Sequence, residues 1–228
     1  MTAADQIIVA LDVPTKEEAL NLLEQLLDPI SFFKVGLQLY TAEGPEIIRT
    51  ISSTGARVFL DLKLHDIPHT VARTVERVNA LGAQALTIHL SGGSDMVRAA
   101  AEARGPGMLL LGVTVLTSAT EKTLREIGVA DGMDKEVLRL ATLGVEGGVN
   151  GLVASARELE MLRRQFGTKV KLVAPGIRPS WSSAGDQKRA MTPRQALEAG
   201  ADYLVIGRPI TAHPRPREAV DKILQELA

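Results

Sequence analysis

Eight short apolar runs, each followed by a helical pattern, predict a single-domain (β/α)8 TIM barrel of the α/β class. The runs are almost continuously apolar, which is typical of parallel strands that are covered on both faces. With 228 residues, the chain fits one barrel-sized domain, which we expect to span residues 1–228. An open doubly wound sheet is the alternative, but the turn after the first strand reads LDVPTK and not G-x-G-x-x-G.

The predicted strands are runs of apolar and β-branched residues that end at polar or turn-forming residues. They lie at residues 7–13, 31–37, 57–64, 85–90, 108–116, 151–155, 171–177 and 203–210. The helical patterns lie at residues 18–27, 41–53 and 70–81, after residue 94, from about 120 and about 133, and at 156–166 and 217–227. The first helix has a clear start, because Thr15 can cap it and Glu17 and Glu18 follow in its first turn.

One connection interrupts this alternation of strands and helices. Between Ile177 and about Thr192 the chain reads RPSWSSAGDQKRAM, a polar segment without helical or strand periodicity. A loop of that length in a compact domain is usually functional or disordered. Because it follows the seventh strand, we predict that it forms a lid over the mouth of the barrel.

The composition excludes several classes of protein. The chain has 26 lysines and arginines against 27 acidic residues, so no overall field would attract nucleic acid or an anionic membrane. Aromatic residues make up 3%, too few for the stacking surfaces of single-strand nucleic-acid binders. The absence of cysteine excludes disulfides, thiolate metal sites and a cysteine nucleophile. With no secretory signal and no apolar run of roughly 18 residues, we expect a cytoplasmic protein that binds neither nucleic acid nor membrane.

The stretch FLDLKLHDIPHT, residues 59–70, carries the strongest functional signal. Asp61 and Lys63 alternate with leucines, which is strand geometry and places both charges on one face. The strand then ends at a polar turn that leads into a helix, where α/β proteins place their chemistry. For a single charge, an ordinary polar strand face is the usual alternative. Asp66 lies beyond the strand, so it either caps the next helix or reaches a neighbouring site.

Two further charged residues lie on the first two strands. Asp12 ends the first strand and could simply form the turn before Pro14. Lys34 is harder to explain structurally, because a lysine inside a buried strand is costly unless it is paired. Strand ends converge at the mouth of a barrel, so we expect both residues to join Asp61 and Lys63 in one network of charges that shift one another's pKa values.

A cationic group follows strands seven and eight, where barrels commonly bind phosphate. Arg178 begins the long loop, and Gly207 and Arg208 end the eighth strand. Gly207 allows a close approach to the backbone, and Arg208 can hold two phosphate oxygens. Lys188 and Arg189, at the far end of the loop, are interpreted as solvated.

The four histidines do not show the spacing of metal ligands. His89 ends the fourth strand and could enter the mouth, although a structural histidine with its hydrogen bonds satisfied is the commoner case. With neither a metal motif nor a dinucleotide fingerprint, the residues indicate cofactor-free chemistry on a phosphorylated small molecule.

Six blocks of the chain resemble the orotidine 5′-phosphate decarboxylases, in that family's order. They read ALDVP, FKVGLQL, DLKLHDIPHT, VTVLTS, APGIR and VIGRPI, and the third contains the signature DxKxxD in its longer form DLKxxDIP. The resemblance spans nearly the whole chain and implies a homodimeric, cofactor-free carboxy-lyase that converts orotidine 5′-monophosphate to uridine 5′-monophosphate in de novo pyrimidine biosynthesis. His69 departs from the family's more usual DIPNT, which leaves the local turn and a dimer contact in question.

The resemblance also implies roles for the matching residues. Lys63 would donate the proton that replaces carbon dioxide at C6 of the pyrimidine, and Lys34, Asp61 and Asp66 would complete the charged network. Asp66 and Ile67 would come from the other subunit of the dimer. The substrate-binding set would consist of Asp12, Lys34, Asp61, Lys63, Asp66, Ile67, Thr70, Thr117, Pro175, Arg178, Gln187, Gly207 and Arg208.

Within this set the resemblance divides the nucleotide into three parts. Asp12 and Lys34 would hold the ribose hydroxyls, and Thr117 would meet the pyrimidine ring. The 5′-phosphate would be held, in part from the lid loop, by Arg178, Gln187, Gly207 and Arg208.

Two rival functions remain open. The related 3-keto-L-gulonate 6-phosphate decarboxylases share DxKxxD but use magnesium, and would need an acidic metal ligand near the end of strand two, where this chain reads FKVGLQL. A non-catalytic nucleotide-binding barrel would be indicated by the loss of Lys63 or Asp61, and both are present.

Overall fold

Residues 2–182 and 191–227, the part of the chain that the computed structural model describes, form a closed barrel of eight parallel strands surrounded by helices. Each strand pairs with the next one in the chain, and the eighth pairs with the first. The predicted (β/α)8 class is therefore confirmed. The extent of one domain over residues 1–228 stays a prediction.

The strands are β1 (Ile7–Ala10), β2 (Phe32–Gly36), β3 (Arg57–Leu64), β4 (Ala85–His89), β5 (Leu109–Val113), β6 (Gly151–Val153), β7 (Lys171–Ala174) and β8 (Tyr203–Ile206). The helices are α1 (Lys16–Leu26), α2 (Leu37–Glu43), α3 (Glu46–Ser53), α4 (Pro68–Ala80), α5 (Gly93–Glu102), α6 (Glu121–Glu126), α7 (Met133–Glu146), α8 (Leu159–Phe166), α9 (Pro193–Glu198), α10 (Arg208–Thr211) and α11 (Pro216–Leu227).

Local sequence signals start several of the helices. The hydroxyl of Thr15 accepts a hydrogen bond from the backbone N–H of Glu18 and so caps α1, as predicted. Pro68 begins α4 at a position where its missing N–H removes no helical hydrogen bond. Thr120 and Thr123 cap the start of α6 reciprocally. These caps fix where each helix begins relative to the strand before it.

Alternate strand residues pack into two separate cores. In β1, Ile8 packs inside the barrel with Phe32, Phe59 and Tyr203, whereas Ile7 packs against the surrounding helices. The rings of Phe32 and Tyr203 meet edge-on, with centroids 6.0 Å apart. This inner layer fills the barrel below its mouth, so the polar residues at the strand ends lie directly above a packed apolar core.

Most predicted strands extend a few residues too far at their carboxyl ends. The first ends at Ala10, and the eighth ends at Ile206, after which residues 208–211 form the single helical turn α10. Residues beyond the strands, such as Leu11 and Ile177, remain buried, so their apolar character does not mark where strand pairing stops.

Two helical segments also differ from the prediction. The helix expected at 41–53 is interrupted, because Gly44 adopts a φ of 66° and Pro45 follows it, which leaves α2 and α3 as separate helices. Helix α9 is not among the predicted helices. It begins immediately after the long loop, where the Thr192 hydroxyl accepts a hydrogen bond from the backbone N–H of Gln195. Within the two described ranges, no helix is long and apolar enough to cross a membrane.

Candidate active site

Four charged residues form a continuous network at the mouth of the barrel. The Lys34 ammonium lies 2.9 Å from Oδ1 of Asp12 and 3.6 Å from Oδ2 of Asp61. The Lys63 ammonium lies 2.9 Å from Oδ1 of Asp61. The structure therefore brings Asp12, two residues after β1, together with the predicted residues of β2 and β3, with Asp61 between the two lysines.

A bulge in β3 positions Asp61 and Lys63 within this network. Its pairing with β4 is irregular between Leu60 and Leu64, and Lys63 adopts a φ of 52°. Among the described residues, Lys63 is the one non-glycine residue in the left-handed region, where backbone strain is common at functional sites. The backbone N–H of Lys63 donates to Thr87 Oγ1, and that hydroxyl donates to Asp61 Oδ1, both over 2.9 Å.

Burial and charge act in opposite directions on Asp61. Burial alone would raise the pKa of its carboxyl. The ammonium groups of Lys34 and Lys63, with hydrogen bonds from Lys63 and Thr87, outweigh that effect and hold the pKa of Asp61 below its ordinary value. Asp61 is therefore an anion at neutral pH, and Lys34, itself only 7% exposed, has the carboxylates that a buried ammonium requires.

A glycine makes room for the first ion pair. A Cβ atom on Gly36 would lie 2.9 Å from both Asp12 Oδ1 and Lys34 Nζ. Real Cβ atoms essentially never approach other atoms more closely than 3.0 Å, so any side chain here would displace the pair. Gly36 is thus part of the site, although the sequence reasoning did not select it.

Two adjoining cavities lie at the mouth of the barrel, and residues of the charged network line both of them. The smaller one, of about 140 Å³, is otherwise mainly apolar, with Phe59, Val113 and Val153 beside Thr117. The larger one, of about 480 Å³, opens toward the cationic group. Both cavities are lined by Lys34, Asp61, Lys63, Pro175 and Val205. The mouth thus offers an apolar recess with charges along one side, and a wider polar entrance.

Three residues of the cationic group, Arg178, Gly207 and Arg208, lie on the wall of the larger cavity. Arg178 is half-buried and donates to the carbonyl of Ile177 over 2.9 Å. Arg208 is exposed at the rim, directly after Gly207. Asp12 lines the same cavity. Arg178, Gly207 and Arg208 therefore share one space with the charged network, where a single elongated ligand can touch both.

Three residues of the predicted set lie outside these cavities. Asp66 is exposed, and its carboxylate accepts a hydrogen bond from the backbone N–H of Ile67 over 2.7 Å. The side chain of Ile67 is also exposed, and Thr70 lies on a separate surface depression with His69. Gln187, Lys188 and Arg189 fall outside the described residues, as do residues 183–190 of the predicted lid.

Two histidines lie close to the charged network. The rings of His65 and His89 are 5.7 Å apart. Burial, together with the nearby His65 and Lys63, lowers the pKa of His89 below its ordinary value. The described residues contain no cluster of three or more histidine, aspartate or glutamate side chains arranged for a metal ion.

Thr87 is the second contributor that the sequence reasoning did not select. It lies in the run ALTIHL, where a threonine is an ordinary β-branched strand residue. Its hydroxyl matters because of the bulge in the neighbouring strand, which sequence periodicity does not reveal. The only available signal was its place two residues before the end of a strand that leads to the mouth.

Known proteins resemble this chain over nearly its whole length. Residues 5–223 match the family described as orotidine 5′-phosphate decarboxylase / HUMPS. An orotidine 5′-phosphate decarboxylase of Idiomarina loihiensis is 47% identical over 99% of both chains. One of Carboxydothermus hydrogenoformans is 44% identical over 98% of this chain and 96% of the relative. The crystal structure of the Lactobacillus acidophilus orotidine 5′-phosphate decarboxylase superposes with a TM-score of 0.87, at 34% identity, over 98% of this chain and 99% of that one.

Proposed function

Because the chain belongs to the orotidine 5′-phosphate decarboxylase / HUMPS family, we propose that it converts orotidine 5′-monophosphate to uridine 5′-monophosphate in de novo pyrimidine biosynthesis. One observation carries the proposal. The network from Asp12 through Lys34 and Asp61 to Lys63 lines the same cavity as the arginines suited to phosphate. A pyrimidine nucleotide has its base and its phosphate on opposite sides of the ribose, and the cavity offers charged partners for each.

Lys63 supplies the chemistry at C6. When the bond from C6 to the carboxylate breaks, its electron pair stays on C6 as a carbanion without a π system that can delocalise it. The fixed ammonium of Lys63 stabilises this developing charge and then transfers a proton to C6, while carbon dioxide leaves. The side chain of Lys63 is about one-third exposed, so solvent can return the proton afterwards.

Asp61 positions the Lys63 ammonium and repels the carboxylate of the substrate. Its carboxylate fixes Lys63 at 2.9 Å and remains charged because its pKa is lowered. A substrate carboxylate bound beside it is repelled, and the repulsion ends when carbon dioxide departs. The mechanism needs no cofactor, since one ammonium both stabilises the carbanion and protonates it.

The remaining contacts bind the nucleotide. Asp12 and Lys34 hold the ribose hydroxyls, and Thr117 and Pro175 meet the pyrimidine. The phosphate is held by Arg178, Gln187, Gly207 and Arg208. Binding energy from a phosphate far from C6 stabilises the loaded, water-free site and so lowers the chemical barrier.

A second subunit completes the site in this proposal. Asp66 and Ile67 line neither of the chain's own cavities, and the apolar residue Ile67 is 66% exposed. In a homodimer this segment enters the partner's cavity, where Asp66 adds a fifth charged residue to the network and Ile67 packs on the substrate. Thr70, on the same segment, is proposed to contact the substrate. A cytoplasmic location stays a prediction of the sequence.

The decisive experiment is an absorbance assay. We expect EDTA-treated protein to convert orotidine 5′-monophosphate rapidly, with a fall in ultraviolet absorbance as uridine 5′-monophosphate forms. Chromatography should identify the product, and added magnesium should not change the rate. Folded protein that leaves the substrate intact, or acts only on a sugar phosphate with magnesium, would contradict the proposal.

A further inference from the structure

The irregular pairing of β3 and β4 leaves one residue opposite the bulge. Between the paired positions Leu60–Leu86 and Leu64–Ile88, β3 advances four residues while β4 advances two. Thr87 is the single β4 residue between those pairs, and it is fully buried. It therefore faces the segment that carries both Asp61 and Lys63.

The hydroxyl of Thr87 accepts one hydrogen bond and donates another. It accepts from the backbone N–H of Lys63 and donates to Oδ1 of Asp61, both over 2.9 Å. The same Oδ1 atom also accepts from the Lys63 ammonium. Backbone, carboxylate and ammonium are thus closed into one ring of hydrogen bonds through a single hydroxyl group.

A hydroxyl is needed for this arrangement, because it must accept one bond and donate another. Valine has nearly the same shape but would leave the partly buried N–H of Lys63 without this partner, at a residue already in the left-handed region. It would also remove one of the groups that keep Asp61 in its charged form. Thr87 itself does not line either cavity, so it acts only through its two neighbours.

We propose that Thr87 is a positioning residue, whose hydroxyl holds the strained backbone of Lys63 and the carboxylate of Asp61 in the geometry required for proton transfer to the substrate. This inference rests on the proposed function, since proton transfer is the step that the geometry serves. It predicts a loss in kcat with little change in KM, because the nucleotide's own contacts are left in place.

The test compares Thr87→Val with Thr87→Ser. We expect the valine variant to lose about 100-fold in kcat, as small misplacements of reacting groups do, and the serine variant to regain most of that loss. Thr114→Val is the matched control, since Thr114 is also buried on the barrel but donates only to the carbonyl of Val153. If the valine variant does not fold, Thr87→Ala carries the same prediction.

Two kinetic results would overturn the inference. One is a valine or alanine variant that folds and keeps kcat within about twofold of the parent, or no lower than Thr114→Val. The other is a serine variant that is as slow as the valine variant, since the hydroxyl would then not be the active feature.

A titration separates this inference from the proposed function. The carboxyl carbon of Asp61, assigned with Asp61→Asn, can be followed by NMR in each variant without any substrate. We expect Thr87→Val to raise the pKa of Asp61 and Thr87→Ser to leave it close to the parent. An unchanged pKa in the valine variant would refute the positioning role, even if the parent proves to act on another substrate.

Discussion

The Lys63 ammonium lies 2.9 Å from Oδ1 of Asp61, two residues earlier on the same strand. Residues two apart on a regular strand are separated by about 7 Å along its axis, so their charged ends do not usually meet this closely. The left-handed conformation of Lys63 and the bulge in β3 bring them together. The ammonium of Lys63 is thus held in place before any ligand binds.

The first prediction concerns Lys63 itself. Lys63→Ala should lower kcat by at least about 1000-fold, because it removes both the stabilising charge and the proton source. Ultraviolet assays of orotidine 5′-monophosphate would measure the loss, with circular dichroism to show that the fold is kept. Lys169→Ala, at an exposed position before β7, is the control. Substantial residual turnover would remove Lys63 from its proposed role.

The second prediction concerns the phosphate. Arg208→Ala should weaken the binding of uridine 5′-monophosphate by about 100-fold, because a charge-assisted contact with two phosphate oxygens is lost. Binding of uridine, which has no phosphate, should change little. Calorimetry with both ligands would measure the difference, and Arg215→Ala, at an exposed arginine paired with Glu218, is the control. Equal losses for the two ligands would place the phosphate elsewhere.

The sequence predicted the charged network because local periodicity and barrel geometry were sufficient. Asp61 and Lys63 alternate with leucines, and Lys34 interrupts a buried strand, so each residue was unusual within its own strand. Parallel strands that close into a barrel bring such residues to one mouth. The assignment of chemical roles came from the family resemblance and not from these patterns.

The parts that could not be predicted depend on contacts between strands. Thr87 is an ordinary strand residue until the bulge of β3 places two polar groups beside it. In the sequence Gly36 is an ordinary residue at the end of a strand. Its importance depends on the side chains of Asp12 and Lys34, which meet beside it in the folded barrel. In the proposed dimer, the cavity that Asp66 and Ile67 enter belongs to a second copy of the chain, which the sequence of one copy does not place.

The third prediction tests the space beside Gly36. Gly36→Ala should separate Asp12 from Lys34, because the added Cβ would lie 2.9 Å from both. We expect an activity loss of about tenfold or more, with the altered geometry spreading from Lys34 to Asp61. Gly132→Ala is the matched control, since its nearest neighbour would be 3.8 Å away. An active Gly36→Ala enzyme would show that the ion pair is dispensable.

The fourth prediction follows from the lowered pKa of His89. The folded protein resists protonation of this half-buried ring, whereas the unfolded chain accepts a proton near pH 6.5, so acid favours unfolding. The free energy of unfolding should therefore fall as the pH drops through 6.5 toward the lower folded pKa. This part of the fall should be missing in His89→Gln.

Urea unfolding between pH 7 and pH 5 would measure this effect. His69→Gln, at an exposed histidine of α4, controls for the loss of one imidazole from the unfolded chain. An identical pH dependence in the parent and in His89→Gln would contradict the prediction.

The last prediction tests the shared site. In the proposed dimer each site uses Lys63 from one subunit and Asp66 from the other, so subunits with Lys63→Ala and Asp66→Asn complement each other. A mixed dimer then contains one site with both changes and one site with neither. Random exchange should restore up to about one quarter of the parent activity.

Mixing Lys63→Ala with Asp61→Asn subunits is the matched control. Asp61 and Lys63 contact each other within one chain, so every site in such a mixed dimer carries one change and no activity should return. Native mass spectrometry of differently tagged subunits would show that the hybrids form. Recovery in both mixtures, or in neither despite hybrid formation, would contradict a site that is completed across the interface.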